Sequence, residues 1–92
     1  MTSVVLYGTI GCHLCEQAQT LLEPVLAVLS ARRVDPLVLH VTDIADDPVL
    51  MTRYGIRIPV LRVDPSEAEL GWPFDQAEAY AFLLSALGSP NS

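Results

Sequence analysis

Lysine is absent from this 92-residue chain, and all five of its basic residues are arginines. Eleven acidic residues outnumber them, for a formal net charge of −6. Such a surface repels phosphate backbones and anionic lipid, so nucleic acid and membrane surfaces are not the expected partners. No apolar run approaches the ~20 residues of a membrane span. The opening Met1-Thr2-Ser3-Val4-Val5-Leu6-Tyr7 has no basic residue, which speaks against a secretion leader and for a soluble, cytoplasmic protein, and the acidic surface makes a monomer the expectation. Cysteine is scarce: two residues are too few for a disulfide scaffold. Repeats, low-complexity tracts and Gly/Ser linkers are also missing. What is present is apolar, with 51% hydrophobic and 17% charged residues. That composition excludes disorder and suits one small core. A single domain over residues 1–88 with a tail at 89–92 is expected.

Periodicity then divides the chain. Ser3 to Tyr7 is β-branched and apolar, the mark of a buried strand. Gly8-Thr9-Ile10-Gly11 breaks it. From Cys12, apolar residues at Leu14, Ala18, Leu21, Leu22, Val25, Leu26, Val28 and Leu29 follow helical spacing. Pro24 falls inside that pattern and predicts a kink rather than two helices. Arg32 and Arg33 suit the negative end of the helix. Leu37 to Thr42 reads as a second strand. Asp47 and Pro48 are the N-cap and first residue of a short helix that ends at Tyr54 before Gly55. Pro59 to Val63 is a third strand, Asp64-Pro65-Ser66 a turn, and Ala68 to Gly71 a fourth strand. Asp75-Gln76-Ala77-Glu78 is a capping box. Tyr80, Leu83, Leu84 and Leu87 line the last helix, and Gly88 stops it. The order β-α-β-α-β-β-α predicts an α/β fold. Its first two strands are parallel and its last two form a hairpin, in a mixed sheet carrying helices.

Cys12 and Cys15 sit three apart where a strand turns into a helix. That spacing lets the sulfurs meet, and the helix N-terminus favours a thiolate. An ordinary thiol is only about 3% ionised at pH 7. Helix-end electrostatics of roughly 0.3–2 kcal/mol raise the ionised share to about half at the upper limit. The thiolate is the nucleophile of disulfide exchange. Cys12, nearer the open end, is the candidate nucleophile, and Cys15, one turn deeper, the resolving thiol. His13 either stabilises a Cys12 thiolate as imidazolium or is an exposed helix-start residue. Tyr7 either donates its hydroxyl to the Cys12 sulfur or simply packs. Two further readings stay open. One is a binding module with inert thiols. The other is a metal or iron–sulfur carrier, against which stands the lack of a four-ligand set: besides the cysteines there are only His13 and His40, and adjacent Cys12 and His13 fit poorly on one tetrahedral ion. No metal is therefore assigned. His40 reads as a strand residue satisfied by its neighbours. Trp72 and Phe74 read as core or lid, or as the rim of a substrate groove. Asp43, Asp46 and Asp47 read as caps and solvated loop.

These residues together resemble the glutaredoxin branch of the thioredoxin-like superfamily, from Val4 to about Leu87. The likeness rests on Leu6-Tyr7 followed by Gly11-Cys12-His13-Leu14-Cys15, on Ile58-Pro59 opening the third strand, and on Gly71 to Asp75 leading into the last helix. It is nearest to small bacterial glutaredoxin-like proteins with a Cys-x-Leu-Cys motif. The resemblance implies a thioredoxin-like (glutaredoxin-type) fold with a four-stranded mixed sheet and helices on both faces. It also implies a cis Ile58–Pro59 bond beside the cysteines, with the Ile58 backbone pairing with a substrate segment. The expected activity is thiol–disulfide exchange on a protein or small-molecule disulfide. It needs no organic cofactor, only an external thiol donor such as glutathione or a thioredoxin-system reductant. Some positions depart from the family. His13-Leu14 stand where proline or glycine is usual, no lysine precedes Cys12, and Gly71-Trp72-Pro73-Phe74-Asp75 replaces a Gly-Gly before aspartate. Those positions help to hold glutathione. Asp75 is left to receive its amino group and Arg53 or Arg57 its carboxylate, although Asp75 is equally explained as a cap.

Overall fold

The computed structural model describes residues 2–32, 37–64 and 66–87. Seven elements follow one another: β1 (Thr2–Gly8), α1 (His13–Ala31), β2 (Leu37–Asp43), α2 (Pro48–Tyr54), β3 (Val60–Val63), β4 (Glu69–Gly71) and α3 (Gln76–Leu87). They form a four-stranded sheet in the order β2-β1-β3-β4. β1 and β2 are parallel, while β3 is antiparallel to both β1 and β4. This is the mixed α/β sheet that the element order implies, in the thioredoxin-like arrangement that the resemblance implies. Expectations placed on Arg33, Pro65, Gly88 and the tail lie outside the described residues.

Alternation along β1 explains the two-sided core. Val4 and Leu6 point to one face and join Leu61 and Val63 of β3. Onto that face α1 lays Ala18, Leu22, Val25, Leu26 and Leu29, and α3 lays Ala79 and Leu83, with Phe74 beside them. Tyr7 points the other way and packs with Ile44, Tyr54 and Val60, so α2 covers the opposite face through its last turn. α1 runs unbroken through Pro24, which faces solvent.

The helical spacing overstates burial in two places. Leu14 and Val28 follow the apolar spacing of α1 but are exposed, because they fall on the shoulder of the stripe turned from the sheet. Leu84 of α3 is likewise exposed, and the buried positions are Ala79 and Leu83. His40 lies in the edge strand β2, as expected of a strand residue, with its side chain exposed.

The helix starts are built as their residue types require. Asp47 Oδ1 accepts from the amides of Val49 and Leu50 at 3.0 and 3.2 Å. Asp75 Oδ1 accepts from the amide of Glu78 at 2.7 Å, and the Asp75 amide donates back to Glu78 Oε1 at 3.2 Å. That reciprocal pair satisfies two amides otherwise left over at the start of α3. Asp43 accepts from the Ala45 amide, so two of the three neighbouring aspartates order their loop. Arg32 is the C-cap of α1, and its guanidinium donates to the Tyr80 hydroxyl on α3.

Candidate functional site

β1 ends at Gly8, the chain turns through Gly11 at φ +81°, and Cys12 stands as the N-cap of α1. A positive φ favours glycine, so the turn that presents Cys12 depends on Gly11. Cys12 and Cys15 are joined as a disulfide with Cα atoms 5.2 Å apart, within the ordinary range. Cys12 Sγ accepts a hydrogen bond from the Cys15 amide at 3.1 Å. This is the helix-end amide that sequence reasoning directs at the nucleophile, and it is already aimed at that sulfur.

The two sulfurs differ in access. Cys12 is half-buried, whereas Cys15 is buried against β1. A Cβ placed on Gly8 would lie 2.7 Å from Cys15 Sγ. Gly8 is therefore part of the site: its missing side chain is the space that Cys15 fills. A glycine closing a buried strand just before the motif was the available signal for such a close approach.

The Ile58–Pro59 bond is cis, and so is Trp72–Pro73, which the sequence reading does not foresee. Tyr7 pairs with Val60 across the β1–β3 ladder. One step further along the register, Pro59 lies across from Gly8, and so beside the residue on which Cys15 rests. The Pro59 carbonyl accepts from the Trp72 amide at 3.1 Å. Trp72 is half-buried and edge-on to the buried Phe74 at 5.1 Å, so this pair braces the proline loop from the core side. The Ile58 amide donates to the Tyr54 carbonyl at 3.1 Å. Of its two backbone groups, the amide is thus taken up within the loop.

The other candidate residues have neighbours of their own. The Tyr7 hydroxyl accepts from Arg62 Nε at 3.2 Å, on the face turned from α1. The pleat that sends Leu6 toward the helix sends Tyr7 away, so its hydroxyl does not serve the Cys12 sulfur. His13 is exposed at the first position of α1, 3.9 Å from Glu16. Asp75 is engaged as the cap of α3. Arg57 Nη2 is paired with Glu69 Oε1 at 3.0 Å, leaving Arg53, over the Tyr54 ring at 5.8 Å, as the freer arginine.

The pairing of Tyr54 with Glu69 is not legible in the sequence, since they meet across 15 residues of chain and no local pattern joins them. Tyr54 stacks on Tyr7 with centroids 4.4 Å apart, and its hydroxyl donates to Glu69. Burial, reinforced by the Glu69 hydrogen bond and charge, pushes the Tyr54 phenol up to about 12 from 10.0. A raised value in the folded state stabilises the fold fully below pH 10 and loses that contribution as pH climbs through about 12. An ultraviolet absorbance titration should show one of the three phenols ionising last, near pH 12, and Tyr54→Phe should delete that step. Three phenols ionising together near their ordinary value would refute the buried hydrogen-bonded assignment.

A family model described as a glutaredoxin-like domain (DUF836) matches residues 3–84. An X-ray structure of the structural-genomics target protein XcR50 from X. campestris shares 40% identity, with 87% of this chain and 93% of that chain covered at a TM-score of 0.63. The solution structure of protein Ne2328 from Nitrosomonas europaea shares 30% identity over 88% of this chain and 89% of that chain, with a TM-score of 0.64. A structure described only as a malarial protein is 13% identical, covers 96% of this chain and 99% of that chain at a TM-score of 0.66, and shows a shared fold alone. No curated protein matches the chain.

Proposed function

The chain belongs to the glutaredoxin-like domain family, and from that premise we propose that it is a thiol–disulfide oxidoreductase working through Cys12 and Cys15. The observation that carries this reading is the asymmetry of the pair. A half-buried sulfur at the N-cap of α1 takes a helix amide, and a buried partner sulfur stands one turn behind it.

In the reducing direction, the Cys12 thiolate attacks one sulfur of a substrate disulfide. The substrate S–S bond breaks, one substrate thiolate leaves and takes a proton, and a mixed disulfide forms on Cys12. Cys15, deprotonated, then attacks Cys12 Sγ. The mixed disulfide breaks, the second substrate thiolate leaves and is protonated, and the Cys12–Cys15 disulfide closes. Two electrons have passed from the dithiol to the substrate. An external thiol donor reduces the pair again by the same exchange, and no organic cofactor takes part. The helix-end amide favours the thiolate when Cys12 is reduced or is the leaving group. Burial of Cys15 favours its return to the internal disulfide over attack on outside partners. Pro59 lies across from Gly8, the residue on which Cys15 rests, and the Ile58 carbonyl before it would offer one hydrogen bond to an extended substrate segment.

The test is to equilibrate the protein in thiol buffers of graded potential and count alkylated thiols by mass. Cys12 and Cys15 should convert together, with a midpoint between about −180 and −280 mV. Two thiols that stay independent under oxidising buffer would end the oxidoreductase reading and favour an inert binding module.

A further inference from the structure

Arg57 sits two residues before Pro59, which lies across from Gly8, the residue on which Cys15 rests. An unpaired guanidinium there would draw anionic substrates toward Cys12. Glu69, from the edge strand β4, removes that charge. One carboxylate oxygen takes Arg57 Nη2 at 3.0 Å, and the other takes the Tyr54 hydroxyl. Tyr54 begins the loop, and its carbonyl accepts the amides of Arg57 at 2.8 Å and Ile58 at 3.1 Å. A single acid therefore holds the loop at its first and fourth residues.

The pair is asymmetric: the Glu69 side chain is 19% exposed and that of Arg57 46%. The carboxylate is the shielded, anchored partner, and the arginine is the one that reaches solvent. Burial pulls the Glu69 carboxyl up, but the Tyr54 hydrogen bond and the Arg57 hydrogen bond and charge outweigh it and hold it ionised at neutral pH. The remaining charges on the elements that meet here are mostly negative. Glu16 lies on the first turn of α1, and Asp46 and Asp47 lie on the loop whose Ile44 amide binds the Gly8 carbonyl, all three exposed. Against them stand Arg53 and, directly across from Glu69 on β3, Arg62, which is itself paired with Asp64.

We propose that Glu69 is a specificity-determining residue of the dithiol site. By neutralising Arg57 it turns the site against anionic disulfides and toward neutral and cationic ones, the natural substrate being a polypeptide disulfide with basic neighbours. The inference rests on the oxidoreductase reading for its meaning but not for its measurement. The reduced protein is mixed with glutathione disulfide (anionic), 2-hydroxyethyl disulfide (neutral) or cystamine (cationic), and the initial rate of mixed-disulfide formation on Cys12 is followed by mass.

The unaltered protein should react fastest with cystamine and slowest with glutathione disulfide. Glu69→Gln should raise the anionic-to-cationic rate ratio about three- to tenfold at low salt. The change should shrink toward nothing at about 1 M salt, where charges are screened beyond roughly 3 Å. Arg57→Gln should move the ratio the other way, and the double substitution, which restores the net charge, should return it near its starting value. A merely structural Glu69 would lower all three rates in common proportion without salt dependence, and that outcome overturns the proposal. Should Glu69→Gln fail to fold, Arg57→Gln decides alone, and an unchanged ratio there also overturns it. If Cys12 reacts but the protein never closes to Cys12–Cys15 with release of the substrate half, the oxidoreductase reading fails while the charge ratio still stands or falls by itself.

Discussion

Replacing Cys12 by serine is expected to reduce disulfide exchange to the uncatalysed background, a loss of at least about a thousandfold, because a hydroxyl at neutral pH supplies almost no anion to attack sulfur. Replacing Cys15 by serine should have a different effect. The half-buried Cys12 still attacks, but nothing stands behind it to break the mixed disulfide. With a protein disulfide as substrate, Cys15→Ser should therefore accumulate a covalent adduct, visible by mass under non-reducing conditions and released by added dithiol. The two single variants are thus predicted to separate attack from resolution. If Cys12→Ser retains exchange and forms the adduct while Cys15→Ser does not, the roles are reversed, and the access difference between the two sulfurs is not what selects the nucleophile. The Cys15 amide also bears on this outcome, since it donates to Cys12 Sγ and not to the other sulfur.

A single methyl group on Gly8 should produce the second large effect. An alanine Cβ there meets Cys15 Sγ at 2.7 Å and Cys15 Cβ at 3.1 Å. Real Cβ atoms do not approach a neighbour so closely, and Cys15 has little room to yield. It is buried, and its own helix is packed on the sheet through Ala18 and Leu22. Gly8 lies in extended β1 without a positive φ, so the backbone tolerates alanine and the cost is purely steric. Overpacking of this kind costs about 1–3 kcal/mol. In a domain of this size, each kcal/mol lowers the melting temperature by about 4–8 °C. The start of α1 should also shift away from β1 and carry Cys15 off its line to Cys12. Gly8→Ala should thus melt several degrees lower and accumulate the mixed disulfide that the unaltered protein resolves. A variant that melts within about a degree of the parent and resolves at its rate would show that the helix start is looser than its packing implies.

How much of this was legible beforehand depended on range. β1, α1, the Asp47 cap, the Asp75–Glu78 box and the hairpin of β3 and β4 are set by residues within a few positions of one another, and each lies where spacing and cap chemistry put it. The Cys12–Cys15 motif is equally local, since three residues at a helix start suffice to bring the sulfurs together. Errors arose where an element's orientation was needed. Leu14, Val28 and Leu84 keep apolar spacing, yet spacing does not say where a stripe ends. Tyr7 lies one residue before Gly8, and only the pleat decides that it faces Tyr54 and Arg62 instead of the disulfide. Arg57 and Asp75 stand out in the sequence as charged groups; the cap that Asp75 makes on α3 is local, but the partner of Arg57, Glu69, cannot be seen from its neighbours in the chain.

By itself, the sequence determined the order of elements, their caps, the apolar faces that make one sheet necessary, and a dithiol at a helix N-terminus. These follow from period, turn chemistry and composition, which act over a few residues. Only the tertiary structure decided that Cys15 rests on Gly8, that Pro59 stands across from that glycine, and that Glu69 reaches from the edge strand to hold both Tyr54 and Arg57. Those contacts form when β1, β3 and β4 come into register, and register is a property of the assembled sheet.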